Sequence, residues 1–129
     1  MSAANSKPEF LLPSEEELTT TPSGLKYKIV RKGEGKLPAG PRSKVTVHYC
    51  GWLTNGTQFD ASYDRGESIS FGLNQVIAGW TEGMQMVAEG GAAILVIPSD
   101  LGYGDRGSPP VIPGGATLVF YVETLKVKD

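Results

Sequence analysis

The chain has 129 residues, a mass of 13.7 kDa and 40% hydrophobic residues, which suits one domain with a sizeable core. Its 12 Lys and Arg residues stand against 14 Asp and Glu residues, and a net charge of −2 leaves no basic excess for a phosphate backbone, so nucleic acid is not an expected partner. The longest uninterrupted apolar run, Ala92–Ile97, is far shorter than the roughly 20 residues that cross a bilayer, so no membrane partner is expected.

A single cysteine and a single histidine restrict the possible chemistry. Cys50 excludes an intramolecular disulfide, and one histidine excludes a metal site or a relay that needs two imidazoles. His48 and Cys50 would share a face of a strand, but neighbours at i and i+2 rarely aim the sulfur at the ring. An ordinary strand pair is therefore favoured over a nucleophilic pair, and we expect neither a metal nor a cofactor.

Residues 1–23 are expected to form an extended or flexible arm, followed by a domain at 24–129. The arm contains three prolines and an acidic run, a composition that buries little surface. Ser14 and Glu17 fit a capping box, but Pro22 limits any helix to a short turn. The arm has no apolar core of a secretory signal, so a cytoplasmic location is expected of the sequence as written; a removed leader would leave the same sequence.

Short segments with period two follow the arm. Leu25–Arg31 and Val45–Leu53 alternate along their length and are predicted to be strands. Asn55 and Gly56 can supply the two positive-φ positions of a type I′ turn, which predicts a hairpin from the second strand onto 57–61.

One segment has the helical period. Apolar residues from Val76 to Val87 recur at spacings of three and four, and Gly90-Gly91 lies where a C-terminal cap belongs, which predicts a helix of about three turns. Strands are predicted at 92–98 and 118–127. About five strands and one helix indicate an α+β domain in which one antiparallel sheet wraps over the helix.

A 17-residue stretch without any period, Leu101 to Thr117, is the first candidate for function. Loops of that length in a compact domain are usually functional or disordered. Tyr103, Val111 and Ile112 have no reason to lie on a mobile solvent loop, so we expect them to form the wall of a pocket.

The same loop carries a nucleotide-binding pattern that fails on physical grounds. Gly102 to Gly107 reads G-x-G-x-x-G after a strand, with Glu123 some 20 residues later. A dinucleotide fingerprint requires the glycines to open a helix, and the prolines that follow at 109, 110 and 113 forbid that helix. Nucleotide binding is therefore not expected.

Two further segments concentrate aromatic and polar residues. Phe59–Arg65 places an aromatic beside a carboxylate, which would need a partner such as Arg65 or a tyrosine hydroxyl if it were buried. A charged turn after a hairpin is the plain alternative. At 75–80, Gly79 permits close backbone approach, free N–H groups at a helix start can meet a ligand carbonyl, and Trp80 is expected to be buried.

Six short strings stand out in order along the chain: Val47-His48-Tyr49-Cys50-Gly51, Phe59-Asp60, Val76-Ile77-Ala78-Gly79-Trp80, Gly102-Tyr103-Gly104, Ile112-Pro113 and Ala116-Thr117-Leu118-Val119-Phe120. In order and spacing, from about Gly24 to Lys128, the chain resembles the FKBP family of peptidyl-prolyl cis-trans isomerases, the FK506-binding proteins. The resemblance implies a five- to six-stranded antiparallel half-barrel around one short α-helix.

The resemblance also implies a site. Trp80 would be its floor, the Ile77 backbone N–H and the Tyr103 hydroxyl would donate to carbonyls of a ligand, and Tyr49 and Arg65 would support Asp60. The residues expected to act in catalysis are Tyr49, Phe59, Asp60, Trp80, Tyr103 and Phe120. The residues expected to bind substrate or drug are Arg65, Phe71, Gln75, Val76, Ile77, Ser108, Val111 and Ile112.

Four positions depart from the family pattern without removing a pocket anchor. Ser108 stands where a histidine is common, Ala78 where a basic residue is common, Gly114 where a second proline is usual, and Gln75 replaces an acidic or other residue. These departures concern sequence preference and the surface offered to partners.

The activity implied is rotation about X–Pro bonds in peptides and folding proteins, without a covalent intermediate or a cofactor. Proline-containing peptides, unfolded proteins and macrolides such as FK506 or rapamycin are the partners implied, with a monomer as the expected state. The alternative is a non-catalytic module of the same fold that binds proline peptides or acts as a chaperone.

Overall fold

A computed structural model describes residues 7–128 of the chain. Its strands and helices, in chain order, are β1 (Thr19–Thr20), β2 (Lys26–Arg31), β3 (Lys44–Leu53), β4 (Gln58–Ala61), α1 (Ser62–Arg65), β5 (Ile69–Gly72), α2 (Ala78–Met84), β6 (Ala92–Ile97) and β7 (Leu118–Lys128). A short 3-10 turn at Glu15–Glu17 precedes β1, and two more, at Leu73–Gln75 and Ser99–Leu101, follow β5 and β6.

All strands belong to one antiparallel sheet in the order β1-β2-β6-β7-β3-β4, and β5 also pairs with β3. The sheet ends at β1 and β4 and is open, with the short helix α2 against one face. The predicted α+β class and the half-barrel are thereby confirmed. The strand count is seven because the sequence analysis missed two short strands, β1 and β5, which have two and four residues.

Helix α2 covers the concave face of the sheet. Trp80 and Met84 on this helix are buried in the main core with the inward-facing residues of the central strands. The helix can lie close to β6 because position 79 has no side chain: a Cβ there would come within 2.6 Å of Ile97. The close approach of the Gly79 backbone to the Ile97 side chain thus brings the neighbouring Trp80 to the sheet.

The helix is shorter than predicted. It spans seven residues, about two turns, and is preceded by Ile77 in an extended conformation. The spacing of Val76 and Val87 fits a longer helix because both residues pack on the same core, but from an extended segment and a turn. Gly90 does have a positive φ of 89°, but it lies in a turn six residues after the helix ends.

A second core covers the convex face, and the N-terminal segment completes it. Phe10 and Leu18 pack against a cluster centred on the outward-facing residues of β3, β6 and β7. The ring of Phe10 meets that of Trp52 edge to face, with centroids 5.5 Å apart. This burial explains why all six residues of β6 are buried: both faces of the strand are covered.

Charge pairs align the same segment with β2. The predicted short turn forms at Glu15–Glu17, where the Glu17 carboxylate accepts the Ser14 backbone N–H at 3.2 Å. Lys26 pairs with Glu15, and Lys28 pairs with Glu17 at 2.9 Å. The division of the chain into an arm at 1–23 and a domain from 24 stays a prediction, and residues 1–6 lie outside the described part.

The hairpin after β3 forms, but its turn is not type I′. Gly56 has a φ of 90°, whereas no residue other than glycine has a positive φ in the described chain, so Asn55 does not. The Gly56 N–H donates to Leu53 O at 2.9 Å, and the Leu53 N–H donates to Thr57 O at 2.9 Å. A type I turn followed by a glycine in the left-handed conformation closes the hairpin with only one positive φ, that of Gly56.

Within residues 7–128, no helix has the length and the apolar character needed to cross a bilayer.

Replacement of Phe10 by alanine should destabilise the protein by about 1–2 kcal/mol, because the edge-to-face contact with Trp52 and part of the convex core are lost. Urea unfolding followed by Trp fluorescence measures the change. The matched control is Leu11→Ala, at a side chain that is 58% exposed, with an expected change below about 0.5 kcal/mol. Equal effects of the two substitutions would refute the role given to Phe10.

Candidate functional site

Five aromatic side chains, each from a different element, meet at the N-terminal end of α2. Trp80 lies at their centre, only 5% exposed, with its ring 5.1 Å from those of Tyr49 and Phe120 and 5.4 Å from that of Phe71. Phe59 meets Phe120 edge to face at 5.5 Å. Edge-to-face pairs of this kind contribute roughly 0.5–1.5 kcal/mol each beyond their buried area. We call these five residues the aromatic cluster.

A glycine on β3 makes room for two of these rings. A Cβ at position 51 would lie 2.7 Å from both Phe59 and Phe120. Neither ring could stay where it is if Gly51 carried a side chain. Gly51 lies in one of the strings that carry the family resemblance, and an isolated glycine in an apolar strand is by itself a sign of close approach.

A polar group of three residues borders the cluster. The Tyr49 hydroxyl donates to one oxygen of the Asp60 carboxylate, and the Arg65 guanidinium donates to the other at 2.6 Å and to the Tyr49 oxygen at 3.0 Å. Burial and the nearby carboxylate raise the pKa of Tyr49, so that it stays a protonated donor at neutral pH. The Asp60 and Arg65 side chains are both about half exposed, so their ionic attraction contributes little to stability.

Ser62 holds this group in place from behind. It is fully buried, accepts the Tyr49 backbone N–H at 2.7 Å, and lies between Asp60 and Arg65 in sequence. Because Ser62 anchors α1 to β3, Asp60 and Arg65 on either side of it both reach the Tyr49 hydroxyl. No sequence pattern identifies Ser62, because a serine after a hairpin is common for many reasons.

Apolar residues of two loops adjoin the cluster. Ile112 is buried in the same core, and Val76 and Ile77 pack against it. The Ile77 backbone N–H donates to no other described residue, while its carbonyl accepts from Trp80 and Thr81 in the first turn of α2. An open backbone donor therefore adjoins the aromatic floor.

The remaining predicted residues are solvent-facing. Of the three residues expected to form the wall of the pocket, Ile112 is 4% exposed, Tyr103 is 41% exposed and Val111 is 53% exposed, so only Ile112 is buried. Ser108 is exposed and exchanges two backbone hydrogen bonds with Ile112 across the loop. Gln75 is exposed and turns its side-chain oxygen back to accept the Gly72 N–H at 2.9 Å.

His48 and Cys50 face away from the aromatic cluster. The Nδ1 of His48 lies 2.9 Å from Ser62 Oγ, and its ring stacks on Tyr63 at 4.7 Å. Cys50 belongs to the convex core, and burial raises the pKa of its thiol to about 11. The structure thus gives the sulfur no activating base, and among the described residues no three His, Cys, Asp or Glu side chains are placed to hold a metal ion.

One carboxylate on β7 is buried, and the sequence did not predict its burial. Glu123 is fully buried and accepts from Tyr63 at 3.0 Å and from Arg31 at 2.9 Å. Burial and the Glu123 carboxylate raise the pKa of the Tyr63 hydroxyl. With both oxygens paired, this group ties β2 and α1 to β7 and has no free oxygen for chemistry.

What the site can do follows from these parts. It offers an apolar aromatic surface, a satisfied carboxylate and an open backbone N–H, with no activated nucleophile among the described residues. The Trp80 indole N–H is buried without an acceptor among those residues, a cost of roughly 1–3 kcal/mol that the ring packing offsets. Such a surface suits an apolar ring next to a peptide carbonyl.

Comparison with known proteins points to one family. Residues 35–125 match the model of a family described as FKBP-type peptidyl-prolyl cis-trans isomerase. A protein of Neisseria meningitidis serogroup B named FK506-binding protein is 50% identical over 108 residues, which are 82% of this chain and 98% of that protein. FkpA of Escherichia coli K12, an FKBP-type peptidyl-prolyl cis-trans isomerase, is 47% identical over 114 residues, 88% of this chain and 42% of FkpA.

Solved structures agree. The crystal structure of Escherichia coli FkpA superposes with a TM-score of 0.83 at 47% identity, over 88% of this chain and 53% of the other. AtFKBP13 superposes with a TM-score of 0.78 at 34% identity, over 88% of this chain and 99% of the other. The chain spans less than half the length of several curated relatives that it matches, FkpA among them.

Substitution of Ser62 by alanine should cost about 1–3 kcal/mol of unfolding free energy, because the buried Tyr49 N–H loses its acceptor. Urea unfolding measures it. Ser70→Ala is the control, since Ser70 is exposed and bonds only to Thr46 Oγ1 across the strand pair. A loss at Ser62 no larger than at Ser70 would show that the anchor has no energetic weight.

The Cys50 thiol should be almost unreactive to iodoacetamide at pH 8 in the native protein. With a pKa of about 11, only about one thiol in a thousand is ionised, and the side chain is fully buried. Mass spectrometry should show modification within minutes in urea and little after hours without it. Fast native modification would contradict the burial of this thiol.

Proposed function

The chain belongs to the FKBP-type peptidyl-prolyl cis-trans isomerase family, and we propose that it accelerates cis-trans rotation of X–Pro bonds in peptides and unfolded proteins. The observation that supports this most is the aromatic cluster, which lies at the positions that the family resemblance assigns to the pocket. Neither a metal nor a nucleophile is part of the proposal.

The reaction needs no bond to be made. The partial double bond of the peptide gives a barrier of ~18–20 kcal/mol, and an X–Pro bond turns over in tens to hundreds of seconds without help. The planar ground state is more charge-separated than the twisted transition state. A surface of low polarity, such as that of Phe59, Trp80 and Phe120, therefore favours the twisted form.

Holding the flanking chain is the second part of the proposal. The open N–H of Ile77 can donate to a carbonyl beside the proline, which fixes one side of the bond while the other side turns. Tyr103, exposed on its loop, is proposed to donate from the opposite side through its hydroxyl.

Asp60 is proposed to act through its field and not by proton transfer. Both of its oxygens already accept hydrogen bonds, from Tyr49 and Arg65. A carboxylate satisfied in this way is a poor base but a fixed negative charge at the edge of an apolar surface. Its direction is set by Tyr49, whose ring contacts Trp80.

Binding of FK506 or rapamycin is proposed as well. Support comes from the aromatic cluster and from the name of the Neisseria relative, FK506-binding protein, almost all of whose length this chain matches. The cytoplasmic location and the monomeric state stay predictions.

Exchange NMR on a Leu-Pro peptide, with and without FK506, tests the proposal. Catalysis at micromolar protein that FK506 abolishes is the expected result. A rate equal to the uncatalysed one, from protein shown to be folded, would exclude the enzyme and leave the binding module of the same fold as the alternative. Catalysis that FK506 does not affect would reject the macrolide part alone.

Asp60→Asn should lower kcat/KM for that peptide about 5- to 20-fold, because the charge is removed while the shape is kept. Asp64→Asn is the matched control: Asp64 is exposed, four residues away, and pairs with Lys7 and Gln58 outside the cluster. It should change kcat/KM less than twofold. Equal losses in the two variants would reject the role of Asp60.

A further inference from the structure

Two exposed apolar side chains line a groove at the end of α2 that lies away from the aromatic cluster. The groove, of about 500 Å³, lies between β2, the loop at 32–37 and the turn after α2. Ile29 and Leu37 are 38% and 53% exposed there, whereas Val30, also exposed on β2, does not line the groove. The remaining large exposed apolar residues of the described chain lie on the N-terminal segment or in the loop of the candidate site, so Ile29 and Leu37 are an exposed apolar pair that the candidate site does not use.

The groove is built into the fold and does not depend on a mobile loop. The Gly35 N–H donates to Glu89 O at 3.0 Å, and the Glu89 N–H donates to Lys36 O at 3.0 Å, so the loop is bound to the turn after α2 by two backbone hydrogen bonds. Met86 and Val87, from that turn, form the apolar floor. Its surface is therefore present before any ligand arrives.

The neighbouring edge of β2 already shows what kind of chain it accepts. Thr19 and Thr20 form an antiparallel pair with Tyr27 and Lys26, but beyond Tyr27 the outer edge of β2 has no strand partner among the described residues. The acidic turn at Glu15–Glu17, just before this two-residue strand, pairs its carboxylates with Lys26 and Lys28 of β2. A short extended strand with acidic residues beside it is thus the occupant that this edge selects within its own sequence.

The charged residues at the groove are also basic, like the lysines of the neighbouring edge. Lys32 is exposed, lines the groove and forms no ion pair with the described residues. Arg31 beside it is held by Glu123 and by Gly90 O. The charged residues that line the groove, Arg31 and Lys32, are both basic, so the groove offers the ammonium of Lys32 to an incoming carboxylate.

We propose that this groove is a second binding site for unfolded polypeptide, which takes an extended segment of apolar residues with an acidic neighbour. A bulge between Ile29 and Arg31 limits strand pairing to a few residues, so side chains in the groove carry most of the binding. That the bound polypeptide is also a substrate rests on the proposed isomerase function, whereas its binding to the groove does not. A chain held there raises the concentration of its own prolines near the aromatic cluster.

The probe is a fluorescein-labelled, proline-free octapeptide that alternates leucine with glutamate and threonine. Anisotropy should show saturable binding that FK506 does not displace, and amide NMR shifts should fall on Ile29, Lys32 and Leu37. Leu37→Asp should weaken binding at least tenfold. Leu11→Asp, at a leucine of similar exposure on the N-terminal segment, should leave it within twofold.

Charge reversal gives a second, independent readout. Lys32→Glu should weaken binding of the glutamate peptide and strengthen binding of an otherwise identical peptide with lysine in place of glutamate. Isomerisation of a short Leu-Pro peptide should be unchanged in Leu37→Asp and in Lys32→Glu, which also shows that both variants are folded. Isomerisation of a long unfolded substrate with an apolar, acidic segment should be slower in both.

Three outcomes would overturn the proposal, and a fourth would reject the proposed function alone. Displacement of the octapeptide by FK506 would place it on the aromatic cluster. Absence of binding at millimolar protein, with short-peptide isomerisation intact, would reject the groove and leave the proposed function standing. Concentration-dependent dimers that Leu37→Asp abolishes would make a second copy of the chain the occupant. If this protein bound the octapeptide but showed no isomerase activity, the binding site in the groove would be supported and the proposed function rejected.

Discussion

The contact of helix α2 with the sheet is the constraint on which the rest of the structure depends. A helix of seven residues is too short to be stable alone in water, so packing must hold it. The missing side chain at Gly79 lets the helix backbone approach Ile97, and that approach places Trp80 among rings from β3, β5 and β7. The same packing thus stabilises the core and builds the aromatic cluster, so the two cannot be varied independently.

The second constraint is that the sheet is covered on both faces by different means. The concave face receives a helix, whereas the convex face receives an extended segment whose Phe10 and Leu18 are the contacts. β6 lies at the intersection, and its uninterrupted apolar sequence is the signature of a strand with no exposed face. The apolar run predicts that strand but does not indicate which residues cover its convex side.

Periodic patterns predicted the long elements well and the short ones poorly. The two strands before residue 54 and the two after residue 91 lie within a residue of their predicted ends, because alternation, or in β6 an unbroken apolar run, over six or more positions is a strong signal. The two-residue β1 and the four-residue β5 are too short to show a period. The helix was overestimated since Val76 and Val87 pack on the same core without being helical.

The site divides in the same way. The aromatic positions followed from the family resemblance, and the structure brings Tyr49, Phe59, Phe71, Trp80 and Phe120 into contact. Ser62 could not be predicted, because its effect comes from hydrogen bonds to His48 and Tyr49 of β3 that depend on tertiary structure.

The strand order has one further consequence, for synthesis. β7 pairs with both β3 and β6 at the middle of the sheet, yet it is the last of these strands to leave the ribosome. Until then the earlier strands form two separate groups with exposed apolar faces, so the domain closes late, by long-range pairing, and its own nascent chain resembles the unfolded polypeptides on which it is proposed to act.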